Sequence, residues 1–247
     1  MITIASVLKS GGDYDKIYLE RLALGVHRML SMPHRFVCLT DMPEQKLGLK
    51  HVVDQTIPLT EGWPGWWSKM ELFKLLGPVL YFDLDTVLTG RIEDLAEWIY
   101  TEAWDCLLML QDFYRPDRSS GILGWNGDVR WIFEYFAGSY ADNATWRVRP
   151  NATWMHGKKG SFRGDQEWLR HLLKKRPQLQ VALAQDIFPG IRSFKVHVRG
   201  GSLPENTRVV CFHGRPRPHE INPPPVWMQK FWIQSWTTKC KTTGSVE

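Results

Sequence analysis

The stretch Pro78-Val79-Leu80-Tyr81-Phe82-Asp83-Leu84-Asp85-Thr86 is an apolar, strand-like run that ends in two carboxylates one residue apart. Short apolar runs of this kind form the buried parallel strands of α/β sheets, and ligands of open α/β sheets bind just beyond the carboxyl ends of such strands. If the extended backbone persists through Asp83 and Asp85, alternation points both carboxylates to one side, where they repel unless a cation lies between them. A divalent metal would answer that repulsion, and hard oxygen donors suit Mg²⁺ or Mn²⁺. The plainer reading, with Asp83 capping a turn and Asp85 a solvated loop charge, stands beside it until the rest of the chain is read.

Upstream, Ile2 to Leu8 reads as a first strand and Lys9-Ser10-Gly11-Gly12-Asp13-Tyr14 as a turn into a helix whose apolar face is Tyr18, Leu22, Val26 and Met29. Gly11-Gly12 matches neither a dinucleotide fingerprint nor a P-loop, so a simple connecting turn is the plainer reading there. Arg35 to Thr40 and His51 to Ile57 read as further strands. Gly62 to Trp67 is a stiff aromatic loop, after which Ser68 caps a helix carrying Met70, Phe73 and Leu76. Lys69, on the first turn of that helix, is either a solvated face residue or a partner for phosphate or carboxylate.

Downstream, Ile92 to Tyr100 reads as a helix, and Trp104 to Leu110 and Gly121 to Trp125 as strands. Asp128 to Ala137 reads as a helix with Trp131, Ile132, Tyr135 and Phe136 inward. Gly138 to Gly164 shows no sustained period and is the longest candidate loop, a length often used for lids or binding segments. Asp165 opens a helix with Trp168, Leu169, Leu172 and Leu173 inward, so its carboxylate is either an N-cap or a catalytic group. Val181 to Ala184 and Arg208 to Phe212 are short strands, and His213 follows the second directly, as a structural histidine or a ligand.

The chain of 247 residues, 43% hydrophobic, suits one α/β domain over 1–222 followed by a Pro-rich segment, an aromatic helix and a tail over 223–247. Trp227, Phe231, Trp232 and Trp236 form the stripe of that last helix, read as docking on the domain in preference to lying on a membrane surface. The scattered Cys38, Cys106, Cys211 and Cys240 suggest neither a zinc site nor a disulfide framework, and reduced thiols fit a cytoplasmic protein, peripheral at the inner membrane face at most. No apolar run approaches the ~18–20 residues that span a bilayer, and no basic region precedes the first apolar stretch. The two Asn-x-Thr patterns at Asn143 and Asn151 are therefore discounted as glycosylation acceptors. A formal charge of +5 favours anionic partners, for which nucleotide phosphates suffice, and 13 tryptophans offer faces on which sugars or bases stack.

Taken together, these stretches resemble the nucleotide-sugar-dependent glycosyltransferases of the GT-A fold, most closely the family 8 type that includes glycogenin and lipopolysaccharide galactosyltransferases. Lys69 followed by Val79 to Asp85 looks like that family's basic helix and metal-binding Asp-x-Asp. Ser119-Ser120-Gly121 is similar to its Asn-Ser-Gly, Gly164-Asp165-Gln166 to its Gly-Asp-Gln, and Phe212-His213-Gly214 to its C-terminal metal-ligand histidine. The resemblance implies a mixed, mostly parallel Rossmann-like sheet flanked by helices. It implies that Asp83, Asp85 and His213 hold Mn²⁺ or Mg²⁺ against the diphosphate of a UDP-sugar, with Lys69 and Arg215 as further cations. Asp165 and Gln166 would lie near the reacting sugar carbon, and the segment Val7, Lys9 to Tyr14 would receive the nucleoside beside Ser120, Gly121 and Gly214. Retention of anomeric configuration is the family expectation, with a glycan or lipid-linked sugar as acceptor and no nucleic acid, and the aromatic loop Trp63 to Trp67 would supply a stacking surface. The chain departs from the family where His213-Gly214-Arg215-Pro216 compresses the last motif and puts Arg for Lys, which makes His219 an alternative ligand. A nucleotidyltransferase and a non-catalytic basic module binding glycan or nucleic acid are the competing readings.

Overall fold

Strands with no polar face need cover on both sides, and alternate residues of two strands show how this chain provides it. In the computed structural model β1 (Ile2–Leu8) sends Ile2, Ile4 and Leu8 into one apolar cluster and Ala5 into a second on the other face. The acidic stretch does the same: Leu80 and Phe82 enter the first cluster, Val79 and Tyr81 the second. The structure describes residues 1–104, 106–149, 152–157, 160–198 and 201–233.

In chain order the elements are β1, α1 (Lys16–Met29), β2 (His34–Thr40), α2 (Glu44–Leu47), β3 (Gln55–Pro58), a 3-10 segment (Gly65–Lys74), β4 (Val79–Phe82), β5 (Thr86–Leu88) and α3 (Glu93–Thr101). There follow β6 (Cys106–Gln111), β7 (Arg118–Trp125), α4 (Arg130–Ser139), β8 (Thr145–Arg149), β9 (Ala152–Gly157), β10 (Gly160–Phe162) and α5 (Asp165–Lys175). The last are β11 (Gln180–Leu183), α6 (Ala184–Ile187), β12 (Ile191–Ser193), α7 (Phe194–His197), β13 (Val209–Cys211) and α8 (Val226–Met228), which continues as a π-turn over Gln229–Ile233.

The central sheet has seven strands in the order β11-β6-β7-β4-β1-β2-β3. All its pairings are parallel except those of β7, which runs antiparallel to both β4 and β6. α1 covers one face, with Tyr18, Leu19, Leu22, Ala23 and Val26 in the first cluster; the 3-10 segment, α4 and α5 cover the other through Trp67, Phe73, Phe136 and Trp168. This is the mixed, mostly parallel GT-A arrangement expected. Among the described residues no helix is long and apolar enough to cross a membrane.

Several local expectations are corrected. The third strand starts at Gln55, not His51, because Val52 and Val53 close a turn on Leu49. Ser68 does not cap a helix: the 3-10 segment already begins at Gly65, and the Ser68 hydroxyl bonds back to the Gly65 carbonyl. Leu76 is exposed rather than inward. The long loop over 138–164 contains a three-stranded antiparallel sheet, β10-β9-β8. At the end of the chain Trp227 and Trp232 are buried in the first cluster, and Trp232 meets the Tyr18 ring edge-on at 5.3 Å. Trp236 and the tail lie outside the described residues.

Candidate functional site

The backbone leaves the extended form at Asp83. Its N–H donates to the Gly121 carbonyl (3.0 Å), and its carbonyl accepts from the Thr86 N–H (3.0 Å), which closes a turn over Leu84 and Asp85. The expected strand alternation therefore does not carry through the pair; the turn instead brings both carboxylates to the wall of one cavity of about 610 Å³ at the ends of β1, β4 and β6.

Each carboxylate is held by a cation, Asp83 by the buried Lys69 and Asp85 by the half-buried Arg217. Asp83 accepts from the Lys69 ammonium (2.8 Å) and the Tyr81 hydroxyl (2.5 Å). Lys69 is 7% exposed and reaches Asp165 Oδ2 at 3.2 Å, a close ion pair without an aligned hydrogen bond, so that oxygen is a buried acceptor with no donor of its own. Burial alone would lower the Lys69 pKa, but Asp165 and Asp83 on either side hold it above its ordinary value, so the side chain stays charged. Asp85 accepts from the Tyr14 hydroxyl (2.5 Å) and from Arg217 Nη1 (2.9 Å), while Arg217 Nη2 reaches Asp13 (3.1 Å). Burial, and then the negative charge of Asp83, push the Asp85 carboxyl up to about 7. Burial and Asp85 raise the Tyr14 phenol, so Tyr14 is a standing donor.

In this ion-pair network Asp13, Asp83, Asp85 and Asp165 outnumber Lys69 and Arg217. The surplus negative charge, the all-oxygen donors and the raised Asp85 fit a hard divalent cation. Mg²⁺ commonly takes only one or two carboxylates and completes its shell with water and substrate phosphate. Among the described residues no group of three or more His, Cys, Asp and Glu is gathered as a ready metal cage.

The other expected residues fall into two layers. Val7, Lys9, Tyr14, Gly121, Gln166, His213, Gly214 and Arg215 line the same cavity. Lys9 is engaged with Asp41 (2.7 Å), and Gln166 accepts from the Ser119 hydroxyl (2.8 Å). Gly121 leaves room that a methyl would narrow, since a Cβ there would stand 3.4 Å from Asp83 Oδ2. Ser120 and Asp165 sit behind the wall, both against Lys69. Asp165 is the first residue of α5 and makes no capping bond, so the N-cap reading is corrected: Gly164 holds that position. His213 Nε2 pairs with the Ser193 hydroxyl (2.6 Å), and its ring stacks on Phe113 at 5.5 Å. His219 pairs with Tyr18 and does not line the cavity.

Arg217 is the residue that sequence reasoning missed. Arg215, the expected cation, is paired with Glu220 and largely exposed, whereas the Arg217 side chain is 13% exposed and directed at Asp85. The Arg215-Pro216-Arg217-Pro218 spacing treats the two arginines alike, and no sequence signal separates them. The aromatic loop is corrected as well: Trp63 and Trp67 are core, and only Trp66, 37% exposed, faces the cavity. Its indole lies against Gly164, where a Cβ would come within 2.8 Å of Nε1.

No family model matches the sequence, and no curated protein matches it. Among solved structures the chain is similar to the apo-form glycosyltransferase GlyE of Streptococcus pneumoniae TIGR4, at 15% identity and TM-score 0.61, over 95% of this chain and 61% of that one. The chain therefore spans about three fifths of the length of GlyE. It is also similar to the galactosyltransferase LgtC in complex with donor and acceptor sugar analogs, at 14% identity and TM-score 0.57, over 88% of this chain and 89% of that one. At such identities the likeness is one of fold.

Proposed function

We propose that the chain is a metal-dependent glycosyltransferase that moves a hexose from a nucleotide-diphosphate sugar, a UDP-sugar, to a hydroxyl of a glycan or lipid-linked sugar. One observation carries this reading: in a GT-A sheet, at the end of β4, two carboxylates face a cavity of about 610 Å³, Asp83 paired with the buried Lys69 and Asp85 with the half-buried Arg217. Asp83 and Asp85 would hold Mn²⁺ or Mg²⁺, with His213 as a third candidate; the bound ion would neutralise charge gathering on the departing diphosphate. Arg217 presents a guanidinium fork suited to phosphate oxygens, and Lys69 pairs with Asp165 behind the wall. Gln166 lines the cavity where the sugar carbon would lie, and Asp165, a layer behind it against Lys69, would add negative potential there as the carbon's bond to the leaving oxygen breaks and the acceptor oxygen bonds to it, the acceptor proton passing to the departing diphosphate. Val7, Lys9 and Tyr14 form the side that receives the nucleoside, and Trp66 offers its open face to the acceptor ring.

Calorimetric titration of UDP into the protein with and without Mn²⁺, repeated on Asp85→Asn, tests the reading. Metal-dependent binding that weakens at least tenfold in the variant is expected. Binding of no nucleoside diphosphate under any metal condition would overturn it.

A further inference from the structure

A second cleft, of about 480 Å³, opens at the opposite end of β7 from the acidic wall. Gly121 stands beside Asp83, and Asn126 lies five residues further along, about 17 Å at ~3.4 Å per strand residue. The cleft is built around an indole that the fold leaves uncovered: Trp104 is 63% exposed, against 37% for Trp66. Gly127 (φ +93°) borders that ring: a Cβ there would stand 3.9 Å from Trp104 Cε3. Hydrogen bonds pin the turn. The Asn126 N–H donates to the Ala103 carbonyl (3.0 Å), its side-chain amide donates to the Tyr100 carbonyl (2.9 Å), and the Gly127 carbonyl accepts from the Gly77 N–H (2.8 Å).

Elsewhere in the cleft Trp131 carries the Arg176 guanidinium 6.0 Å over its ring, and Gln178 adds a planar amide. Aromatic faces that take C–H surfaces, edged by amide and guanidinium groups that bond hydroxyls, are the chemistry that recognises a pyranose ring. The cation content is too low for a polyanion, because Arg130 is spent on Asp128 at 2.5 Å.

We propose that this cleft binds a pyranose residue of a neutral glycan chain, with Trp104 as its stacking platform, as a site separate from the acidic cavity. The proposal rests on the cleft's own geometry and does not require that the chain transfer sugar. The test is titration of the full chain, labelled with ¹⁵N at its tryptophan indoles, with maltohexaose, cellohexaose and chitohexaose at millimolar concentration. At least one glycan is expected to shift the Trp104 and Trp131 indole signals saturably, with affinity about tenfold weaker or more in Trp104→Ala and partly restored in Trp104→Phe. UDP binding should be unchanged in both variants, which separates failure here from failure of the proposed donor site. No shift with any of the three glycans, a shift confined to Trp66, unchanged affinity in Trp104→Ala, or a Trp104 signal that moves with protein concentration alone would overturn the proposal.

Discussion

Replacing Lys69 by Met removes the one ammonium that lies between Asp83 and Asp165 and leaves a side chain of similar length in its place. Removing one partner of a buried ion pair generally costs about 3–5 kcal/mol, because the other charge is left unpaired in a poor solvent. Asp83 keeps the Tyr81 hydroxyl and has a third of its side chain in solvent, so its share is screened. Asp165 is 5% exposed and its Oδ2 has no other donor, so it dominates. A loss near the lower end, about 3 kcal/mol, follows, or about 6–12 °C in Tm for a chain of this size. Urea denaturation at neutral pH reads the loss directly, and two further measurements identify its cause. The deficit of the variant relative to the parent should shrink as pH falls, because a carboxyl that takes up a proton on folding contributes stability at low pH that is lost as pH rises. The double variant Lys69→Met with Asp165→Asn should recover at least half of the loss. A deficit below about 1 kcal/mol, or one unchanged by acid and by the Asn substitution, would refute the account of Lys69 as the counter-ion of a buried acid.

Three other outcomes follow from the same wall. Arg217→Ala should weaken UDP binding about tenfold or more by calorimetry, while Arg215→Ala, which loses an exposed partner of Glu220, should stay within about threefold. Mn²⁺ affinity in the presence of UDP should fall as pH drops below about 7, since Asp85 then holds a proton that the metal must displace; titrations across that range check it, and a flat profile would count against Asp85 as a ligand. Trp66→Ala should leave UDP affinity unchanged while raising the KM for acceptor relative to hydrolysis of the donor by water, read with the same UDP-sugar.

Much of the fold is legible in the chain because the parallel strands must be apolar on both faces: the runs around Ile4, Val37, Leu80 and Leu107 announce themselves by composition. The sheet β8–β10 does not, since strands such as Thr145–Arg149 mix arginine with apolar residues and the sheet reaches the core through scattered side chains such as Met155 and Phe162. At the site, Asp83 and Asp85 are visible from their place at a strand end. Which basic residue meets each of them is not, because Lys69 and Arg217 arrive from segments 14 and 132 positions away from their partners and only folding decides the match. The sequence likewise cannot tell Trp66 from Trp63 and Trp67, three indoles in five residues, of which packing against Phe136 claims two.

The reversed course of β7 ties the two clefts to a single ruler. Its Gly121 sets the clearance beside Asp83, its Gly124 admits the Ile99 side chain at a distance where any Cβ would collide, and the turn that follows it borders Trp104. A slip of one residue against β4 would turn every side chain of β7 to the wrong face and displace both mouths together. The spacing between them is therefore a length counted in strand residues, set by the register of β7 and not by the loops on either side.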